Sequence, residues 1–321
     1  MKAAIEHWLH RRWYGGVEPG LGLRALAGVY RILSSRRGGP APRRVRVPVI
    51  VVGNFTAGGT GKTPLVVALA RHFSARGFTP GIVSRGHGRR TAAPVRVGPD
   101  TPIEDCGDEP FLLRELTGVP VLVDSDRVSA ARAAVEAGCD LVIADDGLQH
   151  RRLARDVEIE VVDGDRRYGN GLLLPAGPLR EKPRACDFRV LNGCEAVDGE
   201  WLMQLVPGAA VNVSDRTRQR ALAEFSSGGA IHAVAGIGNP ARFFASLRDA
   251  GLQVVEHPFA DHHHFRAEDF AGMTGSILMT EKDAVKCRRI GLPDAWSVPV
   301  EARLPVGFLA AVEQRLKEKH A

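Results

Sequence analysis

Residues 47–64 read VPVIVVGNFTAGGTGKTP. A valine and isoleucine run of this length predicts a buried strand over 47–52. It leads into a glycine-rich turn ending in Gly61-Lys62-Thr63, and the apolar stretch 65–73 predicts a helix behind it. Strand, glycine turn and helix in that order form a phosphate cradle. Glycines let backbone N–H groups converge on phosphate oxygens, and the helix N-terminus adds its positive end. Residues Thr56, Ala57, Gly58, Gly59, Thr60 and Gly61 would wrap a nucleotide's phosphates. Lys62 would reach the β- and γ-phosphates, and the Thr63 hydroxyl would hold Mg²⁺. The strict pattern asks for glycine where this chain has Thr56.

Outward from this loop the same logic recurs. Residues 139–144, CDLVIA, predict a buried strand ending in Asp145-Asp146, where an acid beside a phosphate loop would hold Mg²⁺ and its water. Residues 79–83 predict a strand running into a basic turn, SRGHGR, at 84–89. The tetrapeptide Gly107-Asp108-Glu109-Pro110 opens a helix, and its two acids have two readings. They cap the helix and match its dipole, or they supply a base and a metal-side acid at the edge of the phosphate site.

Further strands over 119–123 and 157–163, with helices over 63–76, 109–117 and 127–137, predict an α/β fold: a parallel sheet covered on both faces. Strand-like pieces follow near 188–192 and 202–206. A second, smaller α/β unit then begins, with strands at 231–235, 253–257, 277–280 and 296–300 and a helix at 242–250. The expected division is an N-terminal segment 1–36, a P-loop domain 37–205 and a C-terminal domain 206–321. Between two late strands lie His262, His263 and His264. Adjacent side chains diverge, so a histidine cluster at the surface or between domains is favoured over a metal cage.

The chain has 321 residues, 44% hydrophobic and 25% charged, which excludes a disordered or fibrous protein. Its net charge of +6 is unevenly placed. Residues 1–46 hold ten bases and two acids, and the remainder is slightly acidic, so a nucleic-acid partner is not expected. Residues 21–33 predict an amphipathic helix, with Trp8, Trp13 and Tyr14 before it and Arg36, Arg37, Arg43 and Arg44 after it. Such a helix lies on an anionic membrane surface or packs on its own protein. Five cysteines without a CxxC pair argue against structural zinc or a disulfide framework. No apolar run long enough to span a bilayer and no signal peptide is apparent.

Taken together, the motifs VVGNFTAGGTGKTP (51–64), SRGHG (84–88), GDEP (107–110), DDGLQHRRLARD (145–156), NGLLLPAGPLRE (170–181), GIGNPxRFF (236–244), ADHH (260–263) and MTEKDAVKC (279–287) resemble the tetraacyldisaccharide 4′-kinases of lipid A biosynthesis over nearly the whole length. That family's phosphate loop also lacks the first glycine, while His87 stands where a tyrosine is common. The resemblance implies transfer of a phosphoryl group from ATP, with Mg²⁺, to the 4′-hydroxyl of a tetraacylated glucosamine disaccharide 1-phosphate, giving lipid IVA. It implies association with the inner membrane at its cytoplasmic face, and no obligate protein partner. Carried over by motif, Asp108 acts with His262. Thr63, Glu109, Asp145 and Asp146 serve the metal, and Arg180 neutralises charge. Two other readings are a dimerising regulatory ATPase, against which Ala57 stands where such proteins carry lysine, and a membrane module with a vestigial nucleotide fold.

Overall fold

The computed structural model describes residues 2–35, 41–193, 195–227 and 229–320. Arg36, Arg37 and Cys194 lie outside them. The phosphate-loop strand β1 (Val49–Gly53) is buried along its whole length, as its run of branched side chains requires. After it come β2 (Pro80–Ser84), β3 (Val95–Arg96), β4 (Val121–Val123), β5 (Leu141–Asp145), β6 (Val157–Asp163), β7 (Phe188–Asn192) and β8 (Trp201–Pro207). Next are β9 (Ala210–Asn212), β10 (Gln219–Arg220), β11 (Ile231–Ala235), β12 (Val255–Pro258), β13 (Ser276–Thr280), β14 (Ala295–Val298) and β15 (Val300–Arg303).

Among the described residues the larger sheet has the order β15-β8-β7-β6-β1-β5-β2-β4-β3. Its interior pairs are parallel, and only β15 and β3, at the two edges, run antiparallel to their neighbours. Helices α1 (Lys2–Tyr14), α2 (Leu21–Ser35), α3 (Lys62–Ala75), α4 (Ile103–Cys106), α5 (Asp108–Thr117) and α6 (Arg127–Glu136) precede or connect these strands. One apolar core sets α3 against the sheet through Leu65, Leu69 and Phe73, and a second sets α6 against the other face through Val128, Ala131 and Ala134. This is the doubly covered sheet expected from the sequence. Asp145 ends β5 directly beside β1, so its carboxylate emerges next to the phosphate loop.

The smaller sheet runs β10-β9-β14-β13-β11-β12. It carries α7 (Pro240–Asp249) and α8 (Glu281–Cys287). The stretch 296–300, expected as one strand, is two. Pro299 offers no N–H to a ladder, and the chain crosses there from the smaller sheet to the larger. The segment from β15 through α9 (Phe308–His320), expected in the C-terminal unit, therefore belongs with the larger sheet. Phe308, Val312 and Leu316 fill its core. Two crossings thus join the units, and Gly208 N donates to Pro299 O (2.9 Å) where they run side by side.

The N-terminal helices divide their roles. Trp13 is buried against the body, and its Nε1 donates to Pro175 O (3.0 Å), so it packs on protein rather than facing outward. Helix α2 is anchored by Tyr30, whose hydroxyl donates to Arg180 O (2.9 Å). Beside that anchor the helix leaves Leu21, Leu26, Val29, Ile32 and Leu33 more than half exposed. No described helix is long and apolar enough to cross a membrane.

Candidate active site

The glycine turn has the shape that phosphate binding needs. Gly58 and Gly61 sit in the left-handed region, at φ 101° and 89°, which a side chain would strain. A Cβ on Gly61 would also meet Asn192 Nδ2 at 2.4 Å. Asn192 approaches that closely because its amide donates to Thr60 O (2.9 Å). On the other flank Ala57 N donates to Pro178 O (2.7 Å), and Asn54 Nδ2 donates to Thr56 O (2.9 Å). The loop is thus held both by Asn54 within it and by Asn192 and Pro178 outside it.

Lys62 opens α3 and lies among acids. Its Nζ donates to Asn54 Oδ1 (3.1 Å) and stands 3.4 Å from Asp146 Oδ1. Arg180 Nη1 donates to Asp146 Oδ2 (2.8 Å), so two cations converge on one carboxylate. Burial alone would raise Asp146. The charges of Lys62 and Arg180 outweigh it and hold its carboxyl well below the usual range. Asp145 goes the other way: burial first, then the nearby charges of Glu109 and Asp146, push it up to about 7. Ser84 Oγ donates to its Oδ2 (3.3 Å).

From the opposite side comes the smaller unit. Asp108 begins α5, with its Oδ1 accepting from Glu109 N (3.0 Å). Its Oδ2 lies 3.1 Å from His262 Nδ1, 154 residues along the chain. His262 holds a positive φ of 59°, unusual for a residue with a side chain, and the cost is sustained at this contact. Burial would raise Asp108. The hydrogen bond from His262 and the charge of Lys282 overcome it and keep the carboxyl far below its ordinary value. In return, Asp108 raises His262. His263 is engaged elsewhere: it pairs with Asp269 Oδ2 (3.0 Å) and packs between Phe259 and Phe265. His264 is exposed, and the ring of His87 lies 5.2 Å from that of His262.

Sequence reasoning missed Lys282. Its Nζ lies 3.0 Å from Glu109 Oε1, 3.3 Å from Asp261 Oδ1 and 3.9 Å from Asp108 Oδ2. Burial would make it less basic, but these three carboxylates outweigh burial and keep it charged. The signal lay in the TEKD run, where Asp283 is the structural member. It accepts from Gly236 N (2.9 Å) and Thr280 Oγ1 (2.6 Å) and so fixes the start of α8. Between the units lies a cleft of about 800 Å³ lined by Gly61, Thr63, Glu109 and Lys282.

A parallel sheet with a glycine phosphate loop, an acid-lined cleft and a carboxylate–histidine pair define a P-loop phosphotransferase. Comparison with known proteins gives the family. A family model described as tetraacyldisaccharide-1-P 4′-kinase matches residues 21–317. The tetraacyldisaccharide 4′-kinase of Xanthomonas euvesicatoria pv. vesicatoria (strain 85-10) is 52% identical over 329 residues, 95% of each chain. That of Xylella fastidiosa (strain 9a5c) is 50% identical, again over 95% of each. The crystal structure of the "apo" form of LpxK from Aquifex aeolicus in complex with ATP has a TM-score of 0.70 at 26% identity, covering 91% of this chain and 95% of that one. The chain belongs to the tetraacyldisaccharide-1-P 4′-kinase family.

Proposed function

We propose that this protein transfers the γ-phosphoryl group of ATP to the 4′-hydroxyl of a tetraacylated glucosamine disaccharide 1-phosphate, giving lipid IVA. The observation that carries the reading is Asp108, paired with His262 and adjacent to Glu109, whose side chain lines the cleft together with Thr63 of the phosphate loop. A sugar hydroxyl is a weak nucleophile and needs its proton removed as the new P–O bond forms. Asp108 stays ionised at neutral pH and accepts that proton. A carboxylate held so acidic acts late, once phosphoryl transfer has acidified the hydroxyl, which suits a loose transition state. His262 orients the carboxylate through Nδ1. Lys62 and Arg180 supply positive charge to the phosphates.

Mg²⁺ fits the donor set. Glu109, Asp145 and Asp146 crowd like charges together: Asp145 is raised first by burial and then by the other two, a repulsion that a divalent cation relieves. No three His, Cys, Asp or Glu side chains among the described residues form a metal cage by themselves. Mg²⁺ characteristically takes one or two carboxylates and completes its shell with water and phosphate oxygens. Thr63, Glu109, Asp145 and Asp146 would hold it, and when bound it neutralises charge on the β- and γ-phosphates.

The exposed stripe of α2 supports placement at the inner membrane's cytoplasmic face. Five large apolar side chains lie on one side of the helix, and Arg24 and Arg31 flank it where an anionic leaflet would meet them. Because Tyr30 binds the carbonyl of Arg180, the same helix ties the membrane surface to the phosphate site. The test is phosphotransfer from ATP to the acylated disaccharide. Activity dependent on that acceptor supports the reading, and acceptor-independent ATP hydrolysis by the wild type contradicts it.

A further inference from the structure

The turn at 236–240, GIGNP, takes no part in the Asp108–His262 pair, yet the backbone of its Gly238 lies directly against the phosphate loop. A Cβ built on Gly238 would lie 2.6 Å from Gly59 N and 3.3 Å from Gly58 Cα. Gly59, Gly61 and Thr63 form one wall of the cleft, and Ile237, Gly238 and Arg242 form another.

A set of polar contacts holds this apposition. Arg242 Nη2 donates to Asp163 Oδ1 and to Asp165 Oδ2, both at 2.9 Å. Arg166 Nη1 donates to Gly238 O (3.0 Å), and Asn239 Nδ2 donates to Asp163 Oδ2 (3.4 Å). Asp163 closes β6, the strand next to β1, and is almost wholly buried. Its Oδ1 also accepts from the backbone N–H of Asp165 and Arg166, so the receptor is preformed within the larger sheet. Arg242 lies in the first turn of α7, where the helix dipole disfavours a cation. Helix stability does not explain an arginine there; the carboxylates opposite do.

We infer that Arg242 and Gly238 form a latch that shuts the smaller unit over the phosphate loop, with Arg242 a positioning residue for phosphoryl transfer. The inference rests on the kinase reading, because what the latch aligns is His262 and Lys282 against Asp108, Glu109 and the bound phosphates. Every contact that brings those groups together needs the smaller unit seated, and seating also removes water from the cleft. Gly238 is required for a steric reason only. It does not occupy the left-handed region, so alanine suits its local backbone and is excluded by the phosphate loop alone.

Three full-length variants test this: Gly238→Ala, Arg242→Ala and Arg242→Lys. Small-angle scattering, with and without a non-hydrolysable ATP analogue, reads closure independently of activity, and steady-state kinetics read kcat and KM. Gly238→Ala and Arg242→Ala should scatter as a more open ensemble. Their kcat should fall about 10- to 100-fold, the scale of a misplaced reacting group, with melting temperatures near that of wild type. Arg242→Lys should recover only part, since the shorter lysine side chain does not carry its ammonium to the place where Nη2 meets both carboxylates. Gly238→Ala keeps the test decisive if an arginine variant folds poorly. Wild-type scattering and turnover in Gly238→Ala overturn the latch. If the wild type phosphorylates no lipid disaccharide, the kinase reading fails, and the scattering comparison still decides the latch.

Discussion

Asp108→Asn separates proton acceptance from every other role this residue could have. The amide keeps the shape of the side chain and a carbonyl oxygen toward His262, but it takes no proton. Asp108 is only 6% exposed and lies 3.1 Å from His262 Nδ1 and 3.9 Å from Lys282 Nζ. Lys282 keeps Glu109 and Asp261 as partners, so the substitution orphans no buried cation. The loss in stability should therefore be that of a charge-assisted hydrogen bond, about 1.5–3 kcal/mol. Asp108 is depressed in the folded state, so its contribution is present above its unfolded value near pH 4 and fades as the pH falls below it. The stability deficit of the variant should accordingly be largest at neutral pH and shrink in acid. Turnover should fall about 10²–10⁴-fold, as loss of a general base entails, while ATP affinity stays near wild type because the contacts of Asp108 are to Glu109 N, His262 and Lys282 rather than to the phosphate loop. Single-turnover phosphotransfer, paired with calorimetric nucleotide binding, measures both. A variant that turns over normally but binds ATP poorly would refute the base and return Asp108 to helix capping or metal support.

Replacing Lys62 or Thr63 by alanine should lower phosphotransfer about 10²–10³-fold with the fold intact by circular dichroism, since these groups meet charge that grows in the transition state. His262→Ala should cost more turnover than His263→Ala or His264→Ala, because only His262 reaches Asp108; equal small losses at all three, read in the same kinetic assay, would contradict this. His262 is raised by Asp108, so its stabilising pairing is complete below about pH 6.5 and fades as the pH climbs through the higher folded value. The melting-temperature gap between wild type and His262→Asn should narrow on the alkaline side. Removing residues 1–36 should release the protein from anionic vesicles in a flotation assay, and salt should weaken the binding of the full chain without abolishing it, because apolar burial is not screened.

The larger sheet was legible because its strands are short apolar runs, β1 and β4 are each followed directly by a helix, and the glycine turn marks the middle of the sheet. What escaped notice was non-local. The crossing at Pro299 divides eight strand residues, four on each side, between two sheets, and β15 pairs with β8 about a hundred positions away in a way that no local periodicity encodes. Lys62, Thr63 and the aspartates at the end of β5 could be read from pattern, since phosphate chemistry demands them beside that turn. Asp108 and His262 could not: an acid at a helix start has an ordinary explanation, and only a family resemblance chose among three histidines. Lys282 and Arg242 were hidden for the same reason. Each lies in an unremarkable helical turn and meets carboxylates of the opposite unit, Asp108 and Glu109 for Lys282 and Asp163 and Asp165 for Arg242.

The central claim is that this fold moves phosphate from ATP to a lipid-linked sugar. The most direct measurement incubates ATP labelled at the γ-phosphate with tetraacylated glucosamine disaccharide 1-phosphate and the full-length protein, and follows label into lipid. The expected result is a singly labelled product phosphorylated at the 4′ position, dependent on Mg²⁺ and lost in Lys62→Ala. Label released only as inorganic phosphate, or transfer undiminished in Lys62→Ala, would contradict it.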